Sequence, residues 1–101
     1  YFFNISRIKI LIKICCAPEH LPKFISSLSE AFEKSTQKTI ENLDKWDTSN
    51  INNFEGVFKD ASNFNHDISC WNTDSAETMQ EMFAGATNFN QNISNWNTSN
   101  V

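Results

Sequence analysis

Chemistry in this chain would have to come from Cys15, Cys16 and Cys70, from His20 and His66, from the carboxylates, or from the many asparagines. Three cysteines cannot all pair within one chain, and the neighbours Cys15 and Cys16 are poorly placed for an ordinary disulfide with each other. His20 and His66 do not stand at ligand spacing from the cysteines, so no metal site is expected. No Ser/His/Asp set, no paired carboxylates in a unique pocket and no phosphate-binding glycine loop is present. The expectation is therefore a protein that is not an enzyme and carries no cofactor. Cys70 is read as a free thiol without a role, because Lys45 and Asn95 occupy the same place in related stretches of the chain.

Those related stretches organise everything else. The phrase from Phe89 to Val101 repeats, twenty-five residues later, the phrase that begins Phe64-Asn65-His66-Asp67-Ile68-Ser69-Cys70-Trp71-Asn72-Thr73, and an earlier copy begins at Leu43. Trp46, Trp71 and Trp96 mark the period. The aligned columns are Leu43/Ile68/Ile93, Thr48/Thr73/Thr98, Ile51/Ala76/Val101, Phe54/Met79, Val57/Met82, Phe58/Phe83, Ala61/Ala86 and Phe64/Phe89. The period reads Ile-x-x-Trp-x-Thr-x-x-Val-x-x-Met-x-x-Met-Phe-x-x-Ala-x-x-Phe.

Its first part has the L-x-x-L-x-L spacing of a leucine-rich repeat, with Trp at the second site and Thr at the third. Strands are predicted over about residues 45–49, 70–74 and 95–99, with Trp and Thr inward. In the second part, Phe54, Val57, Phe58 and Ala61 follow spacings of three, four and seven, which predicts a helix face. Asp74 or Ser75 would cap the helix of the second copy. The fold class expected is an α/β repeat, a leucine-rich-repeat-like solenoid with short parallel strands and a helix per turn, preceded by an N-terminal capping helix.

Three segments follow. Residues 1–20 are an uncertain leader or strand segment, in which Ile8, Ile10, Ile12 and Ile14 alternate with Lys9, Leu11 and Lys13. A cropped signal peptide and sequence outside the domain are the rivals, and the lysines speak against the former. No apolar run approaches the roughly 20 residues of a membrane span. Residues 21–42 read as the amphipathic capping helix and its connection, with Leu21, Phe24, Ile25, Leu28, Ala31 and Phe32 on one face. A helix lying on a membrane surface is a weaker reading, because its polar face is mixed rather than basic. Residues 43–101 hold the repeats, 43–67, 68–92 and a partial copy 93–101, and the chain is expected to be a fragment that is marginal alone, with Ile93, Trp96 and Val101 as an unpaired edge.

At 101 residues, 40% hydrophobic and 20% charged, the chain suits one soluble domain. The net charge of −4 is unevenly spread. Residues 1–42 carry six Lys/Arg against four Asp/Glu, whereas residues 43–101 carry two against eight. Acidic repeats repel phosphates, so no nucleic-acid partner is expected.

The phrases Met82-Phe83-Ala84-Gly85-Ala86-Thr87-Asn88-Phe89-Asn90-Gln91 and Ile93-Ser94-Asn95-Trp96-Asn97-Thr98-Ser99-Asn100-Val101 closely resemble the repeats of BspA-like leucine-rich repeat surface proteins, common in mycoplasmas and other bacteria. The resemblance implies a secreted, cell-surface or lipoprotein-anchored protein that binds host or neighbouring-cell ligands. Ile14 stands before Cys15 where a lipobox wants Gly or Ala, which departs from the lipoprotein pattern.

The function expected is a non-enzymatic binding module of a bacterial surface protein, engaged in adhesion or cell interaction through a concave strand face. Its partner would be a protein or other cell-surface ligand. The candidate face is Lys45, Asp47, Ser49, Cys70, Asn72, Asp74, Asn95, Asn97 and Ser99. For each of these the plainer reading is a polar group that solvates or ties the strands, and an intracellular interaction scaffold is the alternative function. Asn65 and Asn90 read as structural, since Asn beside a buried Phe can satisfy turn backbone.

Overall fold

The computed structural model describes residues 19–101, so the leader or strand expected within residues 1–17 lies outside the described residues. What the rest builds is a succession of tight turns. Many core residues donate their amide to the carbonyl of the core residue three positions back: Val57 to Phe54, Ala61 to Phe58, Phe64 to Ala61, Trp71 to Ile68, Ala76 to Thr73, and likewise Phe89, Trp96 and Val101. Most "x-x" pairs of the repeat are thus the two-residue middle of a turn whose ends point into the core, the exceptions being Ile51 to Phe54 and Ala76 to Met79, which hold the bridge residues Asn53 and Thr78.

Two turns of each copy place a left-handed residue in their third position. These are Glu30, Gly56 and Glu81 in one column and Lys34, Asp60 and Gly85 in another, all with φ between 57° and 76°. Positive φ at that position is what a type II turn requires. It is also incompatible with a helix, since each left-handed L-residue costs roughly 1–2 kcal/mol.

This overturns the expected fold class. The only regular element among the described residues is one 3-10 turn, Leu43–Lys45, and the only strand-like pairings are isolated parallel bridges, Ser27 with Asn53 and Asn53 with Thr78. Neither the short parallel strands nor the helix per turn is present, and the molecule is not the leucine-rich-repeat-like α/β solenoid. The helical spacing of the apolar residues arises from three-residue turns separated by a single step, as in Val57-Phe58. A period near 3.6 results without any i to i−4 bond.

The capping helix is corrected with it. Residues 21–35 follow the same turn pattern, with Ile25, Ala31 and Ser35 donating to Pro22, Leu28 and Phe32. This is a divergent first copy, offset by twenty-six residues from the next: Leu28, Glu30, Phe32 and Lys34 donate to the carbonyls of Asn53, Glu55, Val57 and Lys59. One period on, Phe54, Gly56, Phe58 and Asp60 donate to Thr78, Gln80, Met82 and Ala84. Phe24, placed on the apolar face by the helical reading, is 65% exposed.

The copies lie against each other in register, and the aromatic columns stack. Phe32 and Phe58 have ring centroids 5.4 Å apart, Phe58 and Phe83 5.6 Å, Phe64 and Phe89 5.7 Å, and Trp46 and Trp71 6.4 Å, all within 10° of parallel. Such pairs add about 0.5–1.5 kcal/mol each beyond the area they bury. The buried polar groups are matched as well. Thr48 and Thr73 donate their hydroxyls to the carbonyls of Asn72 and Asn97, and the Trp71 indole donates to the Leu43 carbonyl. Among the described residues, no buried side-chain nitrogen or oxygen lacks a partner.

Candidate functional site

The nine residues expected to form a concave strand face lie in turns. Lys45 ends the 3-10 turn, and Asp47, Cys70, Asn72, Asp74, Asn95, Asn97 and Ser99 are exposed, with Ser49 half-buried. The middle column is engaged locally. Asp47, Asn72 and Asn97 each accept, through Oδ1, the amide two residues on, that of Ser49, Asp74 and Ser99, at 2.9–3.0 Å. These are Asx turns, which explain why Asp and Asn interchange there: both offer the same acceptor.

A second such column stands five residues earlier, where Asp67 and Asn92 accept the amides of Ser69 and Ser94. The two charged members are held below the ordinary carboxylate range. For Asp47 the Ser49 hydroxyl contributes most and its amide next, whereas for Asp67 the Ser69 amide comes first and its hydroxyl second. In both, donors stabilise the ionised form.

Cys70 is a free thiol, 3.2 Å from the Asp44 carbonyl, to which it donates. Partial burial pushes it above the usual thiol value, which disfavours the reactive thiolate. His66 uses Nδ1 to accept the buried Ile40 amide at 3.0 Å, and its Nε2 lies 3.4 Å from Asp44 Oδ1. The Asn65 side chain accepts the Asn90 amide and the Gln91 side-chain amide. Among the described residues no group of three His, Cys, Asp or Glu could hold a metal ion, and no helix is long and apolar enough to cross a membrane.

Beside the Asx columns is a polar depression of about 620 Å³, lined by Asn50, Asn52, Asp74, Ser75, Glu77 and Asn100. Asn50, Ser75 and Asn100 are one column at the twenty-five-residue period, and Asn52 and Glu77 are another, so the depression runs across the copies. Of the nine expected site residues only Asp74 reaches it. The walls are braced from within: Asn50 donates to the Lys23 carbonyl, Asn100 to the Asp74 carbonyl, and the Asn97 side chain to Asp74 Oδ1. The side chains of Glu77 and Ser75 make no hydrogen bond and are exposed. Only the period pointed to these residues, and it marks every column equally, with nothing to single out one.

The arrangement offers carboxylate and amide oxygens in an open, wet hollow. Those oxygens suit the recognition of hydrogen-bond donors. No curated protein and no solved structure matches the chain. Residues 26–101 match the family described as Mycoplasma protein of unknown function, DUF285, a match that starts within the divergent first copy, and the chain belongs to that family.

Proposed function

We propose that this chain is a non-enzymatic binding module that acts at a bacterial cell surface or after secretion, in adhesion to a protein or other cell-surface ligand. The observation that carries the reading is the depression across the copies, in which Asp74 and Glu77 supply charge and Asn52 and Ser75 supply polar groups beside them. A partner that presents hydroxyls or ammonium groups complements it, and the acidic balance of residues 43–101 attracts the latter. The resemblance of the repeats to BspA-like surface proteins supports the location and the adhesive role.

The test is a binding screen of the whole chain on a glycan microarray and on a panel of purified extracellular-matrix proteins. The variant Ser75→Ala/Glu77→Gln alters two exposed lining side chains that brace nothing. It is expected to weaken any hit by about tenfold or more with an unchanged circular dichroism spectrum. Equal binding by the variant, or no hit on either panel, would sink the proposal.

A further inference from the structure

Leu21, Ile25 and Leu28 of the first copy are buried, yet Phe24 among them is 65% exposed. The other three side chains build the core and leave this ring in water, although its apolar surface gains by burial. A turn fixes its place in the repeat. Ile25 donates its amide to Pro22 as Ile51 does to Thr48 and Ala76 to Thr73, so Phe24, Asn50 and Ser75 take the same third position of successive turns.

The register of these turns is locked close by. Asn52 donates to the Ser26 carbonyl and Glu77 to the Asn52 carbonyl, and the parallel bridges of Ser27 with Asn53 and Asn53 with Thr78 continue the ladder. The Asn50 side chain donates to the carbonyl of Lys23, the residue before Phe24, at 3.3 Å. The exposed ring therefore stands beside Asn50, one copy beyond the depression that Asn50, Asn52, Asp74, Ser75 and Glu77 help to line. Neighbouring strands lie about 4.7–4.9 Å apart, so Phe24, Asn50 and Ser75 mark a strip roughly 10 Å long. It is apolar at one end and rich in oxygens at the other.

A sugar chain has both halves of the matching chemistry. The C–H face of a pyranose ring packs on an exposed aromatic ring, and its hydroxyls donate to carboxylate and amide oxygens. A basic peptide is the rival, because cations are drawn to carboxylates and to aromatic faces alike. Lys23 repels it at the Phe24 end. Asp74 and Glu77 repel sulfated or carboxylated sugars at the other end, so a neutral chain meets no like charge.

We propose that this strip binds a neutral oligosaccharide laid across the copies, with one ring on Phe24 and the hydroxyls of the following rings on Asn50, Asn52, Asp74 and Glu77. The proposal rests on the binding-module reading of the depression and gives that site its ligand class.

The whole chain, applied to a microarray of neutral and N-acetylated oligosaccharides of graded length with their sulfated counterparts, tests this, with titration of the hits in solution. Expected is saturable binding of neutral oligomers that tightens from single sugars to longer chains. Because Phe24 is exposed, Phe24→Ala should keep the wild-type circular dichroism spectrum and yet weaken the hits by about tenfold or more, whereas Phe24→Trp should retain them. Saturation of the aromatic protons should pass to the sugar C–H protons in the wild type and much less in Phe24→Ala. Four results overturn the proposal: no neutral oligomer bound at about 1 mM, equal binding by Phe24→Ala, a single sugar bound as tightly as its oligomers, or tighter binding of the sulfated counterparts. Should a matrix protein bind and lose affinity to Ser75→Ala/Glu77→Gln while no neutral glycan binds, the depression stands as a binding site and the sugar assignment alone falls.

Discussion

Asparagine and aspartate alternate in two columns because a turn amide needs an acceptor and either side chain supplies it. Asp47, Asn72 and Asn97 do the same work, as do Asp67 and Asn92. The charged members differ in one respect. Since their folded-state values lie below the ordinary one, the stability they add is fully present above about pH 4 and is lost as pH falls through the lowered values. Asp47→Asn/Asp67→Asn keeps both acceptors and removes both titrations, so its urea midpoint should fall less steeply than the wild type's between about pH 4 and pH 2. Equal slopes would show that these carboxylates are not differently stabilised in the folded chain. At this scale the sequence showed which columns repeat. It did not show that the Asp47 column faces its own turn, because an acceptor for a backbone amide and an acceptor for a partner are the same side chain.

At the scale of the element, spacing misled for a physical reason. A helix and a run of three-residue turns both bring residues 54, 57, 58 and 61 to one side, and only the backbone distinguishes them. The signal present in the sequence was glycine: Gly56 and Gly85 stand at third turn positions with φ of +61° and +76°. It was weak because Glu30, Glu81, Lys34 and Asp60 adopt the same conformation in the other copies. The two glycines should nevertheless respond differently to substitution. A Cβ on Gly56 would meet the flexible Glu30 Cγ at 3.3 Å, so Gly56→Ala should cost about 1 kcal/mol, the left-handed penalty alone. A Cβ on Gly85 would collide with the Asp60 carboxylate and approach the Asp60 Cα at 3.2 Å. Gly85→Ala should therefore cost distinctly more in urea unfolding, and replacing Asp60 with Gly should recover part of the difference. Equal costs would mean that the third copy can shift away from the second.

For the whole molecule, the repeat itself was legible from Trp46, Trp71 and Trp96, while the copy around residues 21–35 was hidden by its twenty-six-residue offset and its lack of Trp and Thr. That hidden copy matters because its Phe32 joins the aromatic columns, meeting both Phe58 and Trp46. Phe58 is fully buried and meets Phe32 of the first copy, Phe64 and Trp71 beside it, and Phe83 of the third. Phe89 is half-buried and, among the described residues, stacks on Phe64 and Phe83 alone. Removing a buried Phe costs about 3–5 kcal/mol, a large part of the 5–15 kcal/mol typical of a domain. Phe58→Ala should thus lower the unfolding midpoint for all three tryptophans together. Phe89→Ala, at a half-buried position, should lower it less and loosen Trp96 ahead of Trp46. Variants that each retain one tryptophan separate these signals by fluorescence during urea unfolding. If Phe58→Ala left the Trp46 transition in place while Trp96 moved, the copies would unfold independently. The stacked rings would then be local packing rather than the column that makes the copies one cooperative body.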